Sequence, residues 1–238
     1  KDVLGVADIS RMTGITPSTV SRILSTLRRK HCVEIDPKSG RYCLGTKVYG
    51  WAQIVHSRLK LSEVALPAMG ELRDACGEEV ALYIREGISR ICIAKVDSTY
   101  NVAKKTTIGV PLPFHCGAAG KVLMAYQPVA IRKRLISMPL EQYTPFTITD
   151  PTVLEEELEK IRDEGVAYST SEREVGAYSI VAPVRNGFSE VVASLSISGP
   201  QFRLSEEKVA VYKKLVQDAA EKISVNLGFR WPRKEERK

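Results

Sequence analysis

Three stretches of this 238-residue chain hold side chains of types and spacings suited to chemistry. Ser18, Thr19, Ser21, Arg22 and Ser25 share one side of a run whose other side is Val20, Ile23, Leu24 and Leu27. Arg28, Arg29 and Lys30 close that run. Short hydroxyls and an arginine are the groups that read base edges in a DNA groove, and clustered cations are what phosphates require. Further on, His115-Cys116-Gly117-Ala118-Ala119-Gly120-Lys121 sets a base and a thiol ahead of small residues. Ser196 and Ser198, two apart in a strand-like run, fall on one face, where both can hydrogen-bond a ligand.

The first stretch needs elements to present it. Ile9 and Met12 give Asp8–Thr13 a helical spacing, and Gly14 supplies a tight turn. Thr16-Pro17 then reads as a helix start, with Thr16 as the cap and Pro17 at the first helical position. Val20, Ile23, Leu24 and Leu27 recur at i, i+3, i+4, i+7, so one stripe of this second helix faces inward. Cys32–Asp36 and Arg41–Leu44 read as strands joined by the turn residues Pro37-Lys38-Ser39-Gly40. Helix, turn, helix and basic-tipped hairpin make a winged helix-turn-helix. The second helix is expected in the major groove, with Ser18, Thr19, Ser21 and Arg22 reading bases. Thr16, Arg28, Lys38 and Arg41 are expected to hold phosphate. A winged helix ordinarily has a helix before these two, expected upstream of Lys1.

Charge supports this division. The whole chain carries +7, with 44% apolar and 26% charged residues, the mix of an ordinary globule. Residues 1–60 alone carry +7, residues 61–229 carry −3 and residues 230–238 carry +3. A basic module joined to a near-neutral one is what a polyanion-binding protein with a separate second domain requires. No run of eighteen apolar residues occurs and no charged-then-apolar leader opens the chain. The five cysteines are odd in number and scattered, without a CxxC, and suit reduced thiols in the cytoplasm.

Thr46–Leu61, with Val48, Trp51 and Val55 on one face, reads as a linker helix. Its apolar face could pair two subunits, as a two-fold operator requires, or cover the hairpin with Trp51 as a core residue. Beyond it the pattern becomes α+β. A helix over Leu66–Cys76 leads to strands at Glu79–Arg85, Arg90–Val96 and Asn101–Ile108. The helix opened by the small residues runs through Tyr126, followed by helices at Val129–Met138 and Val153–Glu164, the latter capped by Thr152 with Glu155. Strands at Ala167–Ser171, Ser179–Arg185 and Val191–Ser198 precede a last helix from Glu206 to Leu227. The chain thus divides into residues 1–45, a linker 46–61, a second domain 62–229 and a basic tail 230–238.

Small residues at a helix start leave backbone N–H groups open at its positive end, a seat for a carboxylate; they serve close packing equally well. His115 and Cys116 look like a nucleophile with its base. Adjacent residues on an extended segment point opposite ways, however, so an enzyme built on them is the least favoured reading. A regulator sensing thiols or metal through Cys116 is a further alternative. His31 and His56 show no local ligand partner, and neither a metal nor a cofactor is expected.

The winged helix bounded by Gly45, the stretch Pro113–Gly120, the segment Glu172–Val184 and Ser194–Pro200 together resemble the IclR family of transcriptional regulators over nearly the whole chain. The resemblance implies a GAF-like antiparallel-sheet effector-binding domain behind the DNA-binding domain. It also implies homodimers or dimers of dimers on a palindromic double-stranded operator, and control of carbon-catabolic genes by a small organic acid. By the same resemblance Gly117, Ala118, Ala119, Ser196 and Ser198 belong to the effector site. Ser169 stands where the family often has an acidic residue, Ser179 where it often has Cys, and Tyr178 where it frequently has Arg. The expected site is therefore rich in hydroxyls and poor in charge, suited to an acid bearing hydroxyl or carbonyl groups.

Overall fold

The computed structural model describes residues 3–51 and 60–229. The chain forms two compact units, Lys1–Lys60 and Leu61–Lys238.

In the first unit, α1 (Val6–Thr13) ends at Gly14, whose φ of 70° turns the chain into α2 (Pro17–Arg29). Pro17 opens α2 as its fixed φ favours. Thr16 occupies the cap position, but its hydroxyl makes no cap bond to the helix backbone. It lies instead 3.3 Å from the Ser18 hydroxyl and donates to that of Thr19 at 3.0 Å, a correction to the expected cap. Of the predicted stripe, Val20 and Leu24 are buried, whereas Ile23 is 44% exposed and Leu27 36%. The wing is a hairpin of β1 (Val33–Ile35) and β2 (Tyr42–Leu44), and Leu4 pairs with Tyr42 on the free edge of β2. The Asp36 carboxylate ties the wing turn by accepting from the Ser39 backbone N–H at 2.9 Å. Helical residues follow over 46–51, and the rest of the expected linker, 52–59, lies outside the described residues, as does the basic tail 230–238. Trp51 is half exposed, with the Lys47 ammonium 5.8 Å from its ring, so it is no core residue of its own unit.

The second unit is built on one antiparallel sheet of six strands among the described residues, in the order β5-β4-β3-β8-β7-β6. The strands are β3 (Glu79–Glu86), β4 (Ser89–Val96), β5 (Pro111–Pro113), β6 (Ala167–Thr170), β7 (Ala177–Arg185) and β8 (Val191–Pro200). Strand alternation sends Val80, Leu82, Ile180 and Ile197 to one face, under α3 (Lys60–Cys76) and α7 (Glu206–Asn226). Ala81, Tyr83, Cys92 and Val181 go to the other, under α4 (Ala118–Ala125), α5 (Val129–Ile136) and α6 (Pro151–Glu164). Two cores thus share one sheet, the layered α+β arrangement expected.

Two expectations fail locally. Asn101–Ile108 is no strand; the edge strand is the short Pro111–Pro113. At Thr106 the backbone N–H donates to the buried Glu79 carboxylate at 2.9 Å, so a side chain satisfies what a ladder bond would have. The cap of α6 is Asp150, which accepts from the N–H groups of Thr152 and Val153 with Pro151 at the first position, and not Thr152.

Candidate functional site

The first unit presents a basic face on α2 and the wing. Ser18, Ser21, Arg22, Arg28, Lys38 and Arg41 are exposed and Thr19 half-buried. The side chains of Arg22, Arg28 and Lys38 have no acidic partner among the described residues. Arg41 differs, with a guanidinium 3.4 Å from the Asp8 carboxylate on α1. Solvated cations with no internal partner are free to exchange water and counter-ions for phosphate. Thr16, Ser18 and Thr19 form a chain of hydroxyls at the N-terminus of α2, the end that meets base edges when such a helix enters a groove.

In the second unit a narrow cavity of about 30 Å³ opens at the start of α4. Cross-strand register builds its floor, because Ser169 pairs with Ser179, Ser179 with Ser198, and Ser198 with Glu79. These residues make one polar row across four strands. Ser198 donates to the Ser179 hydroxyl at 3.1 Å, and the Ala118 N–H donates to the Ser169 hydroxyl at 2.9 Å. Gly117, Ala118 and Ala119 form the opposite wall. The small residues serve packing as well. A Cβ on Gly120 would collide with the Phe114 carbonyl oxygen, so only glycine lets the helix come this close.

Two predicted site residues are not part of this polar row. The Ser196 hydroxyl is fully buried and donates to the Ala81 carbonyl at 3.2 Å, off the cavity. The Tyr178 side chain belongs to the core under α3 and α7, since odd and even positions of β7 face opposite ways, although the residue borders the cavity. Its hydroxyl is buried without a hydrogen-bond partner among the described residues, and burial pushes its pKa up.

The cavity is also far richer in charge than the sequence suggested. Arg90, Lys104, Glu172, Arg173 and Glu174 all line it. The Glu172 carboxylate accepts from the Gly117 N–H at 2.8 Å and meets the Lys121 ammonium at 2.6 Å. Lys121 is 1% exposed and lies 3.1 Å from Glu157 as well. The Glu172 carbonyl in turn accepts from Thr147 at 2.6 Å and from the Cys116 thiol at 3.2 Å. A carboxylate does occupy the helix start, but it is the chain's own. Arg90 donates to the carbonyls of Pro113 and, at 3.0 Å, Cys116, while its Nε has no partner among the described residues.

His115 and Cys116 do not meet as nucleophile and base. The imidazole Nε2 lies 2.9 Å from the Glu141 carbonyl oxygen. Burial, reinforced by the Glu172 charge, pushes the Cys116 thiol up to about 11, far from a thiolate at neutral pH. Among the described residues no group of three His, Cys, Asp or Glu side chains could hold a metal ion. No helix there is long and apolar enough to cross a membrane.

Two family models match the chain, the IclR helix-turn-helix domain over residues 1–37 and the bacterial transcriptional regulator IclR C-terminal domain over 53–225. The chain belongs to the IclR family. This IclR-family protein is a DNA-binding transcriptional regulator with an effector-binding domain, not an enzyme. The HTH-type transcriptional repressor AllR of Escherichia coli is 33% identical over 229 residues, spanning 94% of this chain and 83% of AllR. The crystal structure of the Thermotoga maritima IclR superposes with a TM-score of 0.74 at 28% identity, covering 96% of this chain and 93% of that one. An IclR homologue from Microbacterium hydrocarbonoxydans, crystallised with 4-hydroxybenzoate, superposes with a TM-score of 0.83 at 24% identity, covering 95% and 92%.

Within this IclR-family site the charged residues that sequence reasoning missed are Arg90, Lys104, Glu172, Arg173 and Glu174 as cavity lining, with Glu79 in the polar row. One signal for Arg90 was available. It falls on the same alternation as Cys92 along β4, an inward position where a cation is costly. Lys104 left no such signal, because it lies in the stretch whose pattern imitates a strand.

Proposed function

We propose that a small organic acid, seated between the start of α4 and the row Ser169, Ser179 and Ser198, sets this regulator's affinity for its operator. The observation that carries the reading is the convergence of that hydroxyl row with the helix start on one cavity bordered by Arg90 and Lys104. Hydroxyls accept or donate as a ligand requires, and cations favour an acid. The 4-hydroxybenzoate bound by the Microbacterium homologue, a carboxylate carrying a hydroxyl, has the same chemistry. Ser18, Thr19, Ser21 and Arg22 read bases, and Thr16, Arg28, Lys38 and Arg41 hold backbone phosphate. The protein acts in the cytoplasm as a homodimer or dimer of dimers on a palindromic site, under a carbon-catabolic acid. Its organisation is a DNA-binding domain over 1–45, a dimerising linker over 46–61, an effector-binding domain over 62–229 and a basic tail.

A thermal-shift screen of organic acids on the full chain tests this, since a ligand at 100 times its Kd adds about 2.7 kcal/mol. The acid that stabilises the protein should change operator affinity in an anisotropy titration. DNA should change acid affinity by the same factor. Undiminished binding of that acid by a Ser179→Ala/Ser198→Ala double variant would remove the pocket from the effector's path.

A further inference from the structure

The cations of the second unit are not treated alike. The buried Lys121 holds Glu172 at 2.6 Å, and the half-buried Arg203 holds the buried Glu78 through two bonds of 2.8 Å. Arg90 is buried too, at 4% exposure, yet has no carboxylate partner among the described residues. Its contacts are two carbonyl oxygens and the Tyr83 ring, 5.7 Å from the guanidinium carbon. Its Nε is buried and, among the described residues, unpartnered on the border of the cavity. Burial draws the Arg90 pKa down, the direction expected of a cation lacking a counter-ion.

Charge around the cavity is likewise out of balance. Three cations line it, Arg90, Lys104 and Arg173, against two carboxylates, Glu172 and Glu174. Glu172 meets Lys121 from behind, an ammonium it shares with Glu157. Glu174 pairs with Arg173 and lies 4.0 Å from Lys104. The lining thus carries one cation more than it has carboxylates, and the cation left without a carboxylate partner among the described residues is Arg90, which an anionic group on a ligand would neutralise. An unpaired buried cation is costly, and a site that keeps one is suited to an anion that arrives from outside.

Resting on the reading of this cavity as the effector pocket, we propose that Arg90, with Lys104, recognises a second anionic group on the effector. The site therefore selects compact dianionic acids over monoanionic ones. The second group is a carboxylate or a phosphate, since a guanidinium fork binds either.

Calorimetry on the full chain decides the matter with matched probes, malonate against propionate and succinate against butyrate, and phosphonoacetate for the phosphate-like arm. The expected result is about tenfold or greater preference for each diacid over its monoacid, the value of one charge-assisted contact. Arg90→Gln should weaken the diacids about tenfold more than the monoacids, so that the preference disappears, with Arg90→Lys recovering part of it. Tighter phosphonoacetate than malonate assigns the group as phosphate, and the reverse assigns it as carboxylate; both support the proposal. Equal affinity for diacids and monoacids overturns it, as does a preference unchanged in Arg90→Gln or no heat from any dianion. Should Arg90→Gln fail to fold, the wild-type preference and its reduction by the peripheral Lys104→Gln decide between these outcomes. Ala119→Leu, which fills the cavity, separates the two levels. Acid binding that survives it defeats the pocket itself, whereas binding that disappears without any diacid preference defeats only the role of Arg90.

Discussion

Arg22 and Arg90 bring the same guanidinium to opposite surroundings. Arg22 stands exposed on α2, keeps its hydration and has no acidic partner among the described residues, so pairing with a phosphate or a base would cost it little beyond side-chain order. Arg90 has given up water on folding and received two carbonyls in return. The same contrast separates the two regions. The basic face holds Thr16, Ser18, Arg28 and Lys38 at the surface, where interactions are individually weak and salt-sensitive. The cavity holds Lys121, Glu172 and Arg90 nearly dry, where each charge must be answered locally or is expensive. Charge in the first region is therefore available to a partner, and in the second it chiefly holds the fold, apart from Arg90 and Lys104.

The sharpest way to break this comparison is to remove one member of the buried pair. Lys121→Met should destabilise the protein by about 3–5 kcal/mol in urea unfolding, because Glu172 is left as a buried charge, and Lys121→Met/Glu172→Met should recover most of that. A loss under 1 kcal/mol would mean that the pocket's charges are solvated like those of α2. Next is the titration of the buried thiol. Cys116 moves from 9.0 to about 11 on folding. Between those values the unfolded chain ionises and the folded one does not. The thiol's contribution is therefore whole below pH 9 and is lost as pH rises through 11. At about 1.4 kcal/mol per pKa unit, wild type should lose roughly 2–3 kcal/mol more than Cys116→Ala between pH 8 and 11.

On the exposed side, Arg22→Ala should weaken operator over random DNA by about 1–3 kcal/mol if the arginine makes a bidentate base contact. Arg28→Ala should weaken both alike and reduce the salt slope by about 1. Equal losses on both DNAs for Arg22→Ala would turn it into a phosphate contact. The smallest effect concerns Asp8→Asn, which frees Arg41 from a half-buried carboxylate that also meets Arg11. Stability should change by less than about 1 kcal/mol while affinity for any DNA rises slightly, by anisotropy at low salt.

How much was legible follows from how local each signal is. The helix-turn-helix and wing could be read because a turn glycine, a first-position proline and 3.6-residue spacing act within a few residues. Strand alternation similarly located Ser198 and the buried faces of β7 and β8. The edge strand was not legible, because the Thr106 N–H donates to the carboxylate of Glu79, 27 residues back, and not to a neighbouring strand. Analogy of position puts Tyr178 in the site, although its neighbour Ser179 faces the cavity and a strand cannot turn both side chains the same way.

By itself, then, the sequence determined the division into a basic DNA-reading unit and an α+β sensor, because composition, periodicity and turn chemistry are written along the chain. Only the tertiary structure decided that Ser196 is spent on Ala81, that Glu172 fills the helix start expected to seat a ligand, and that Arg90 stands beside it with no carboxylate among the described residues. Those outcomes depend on which distant groups meet across strands and helices. A buried charge takes its meaning from its neighbours, and no local spacing records who they are.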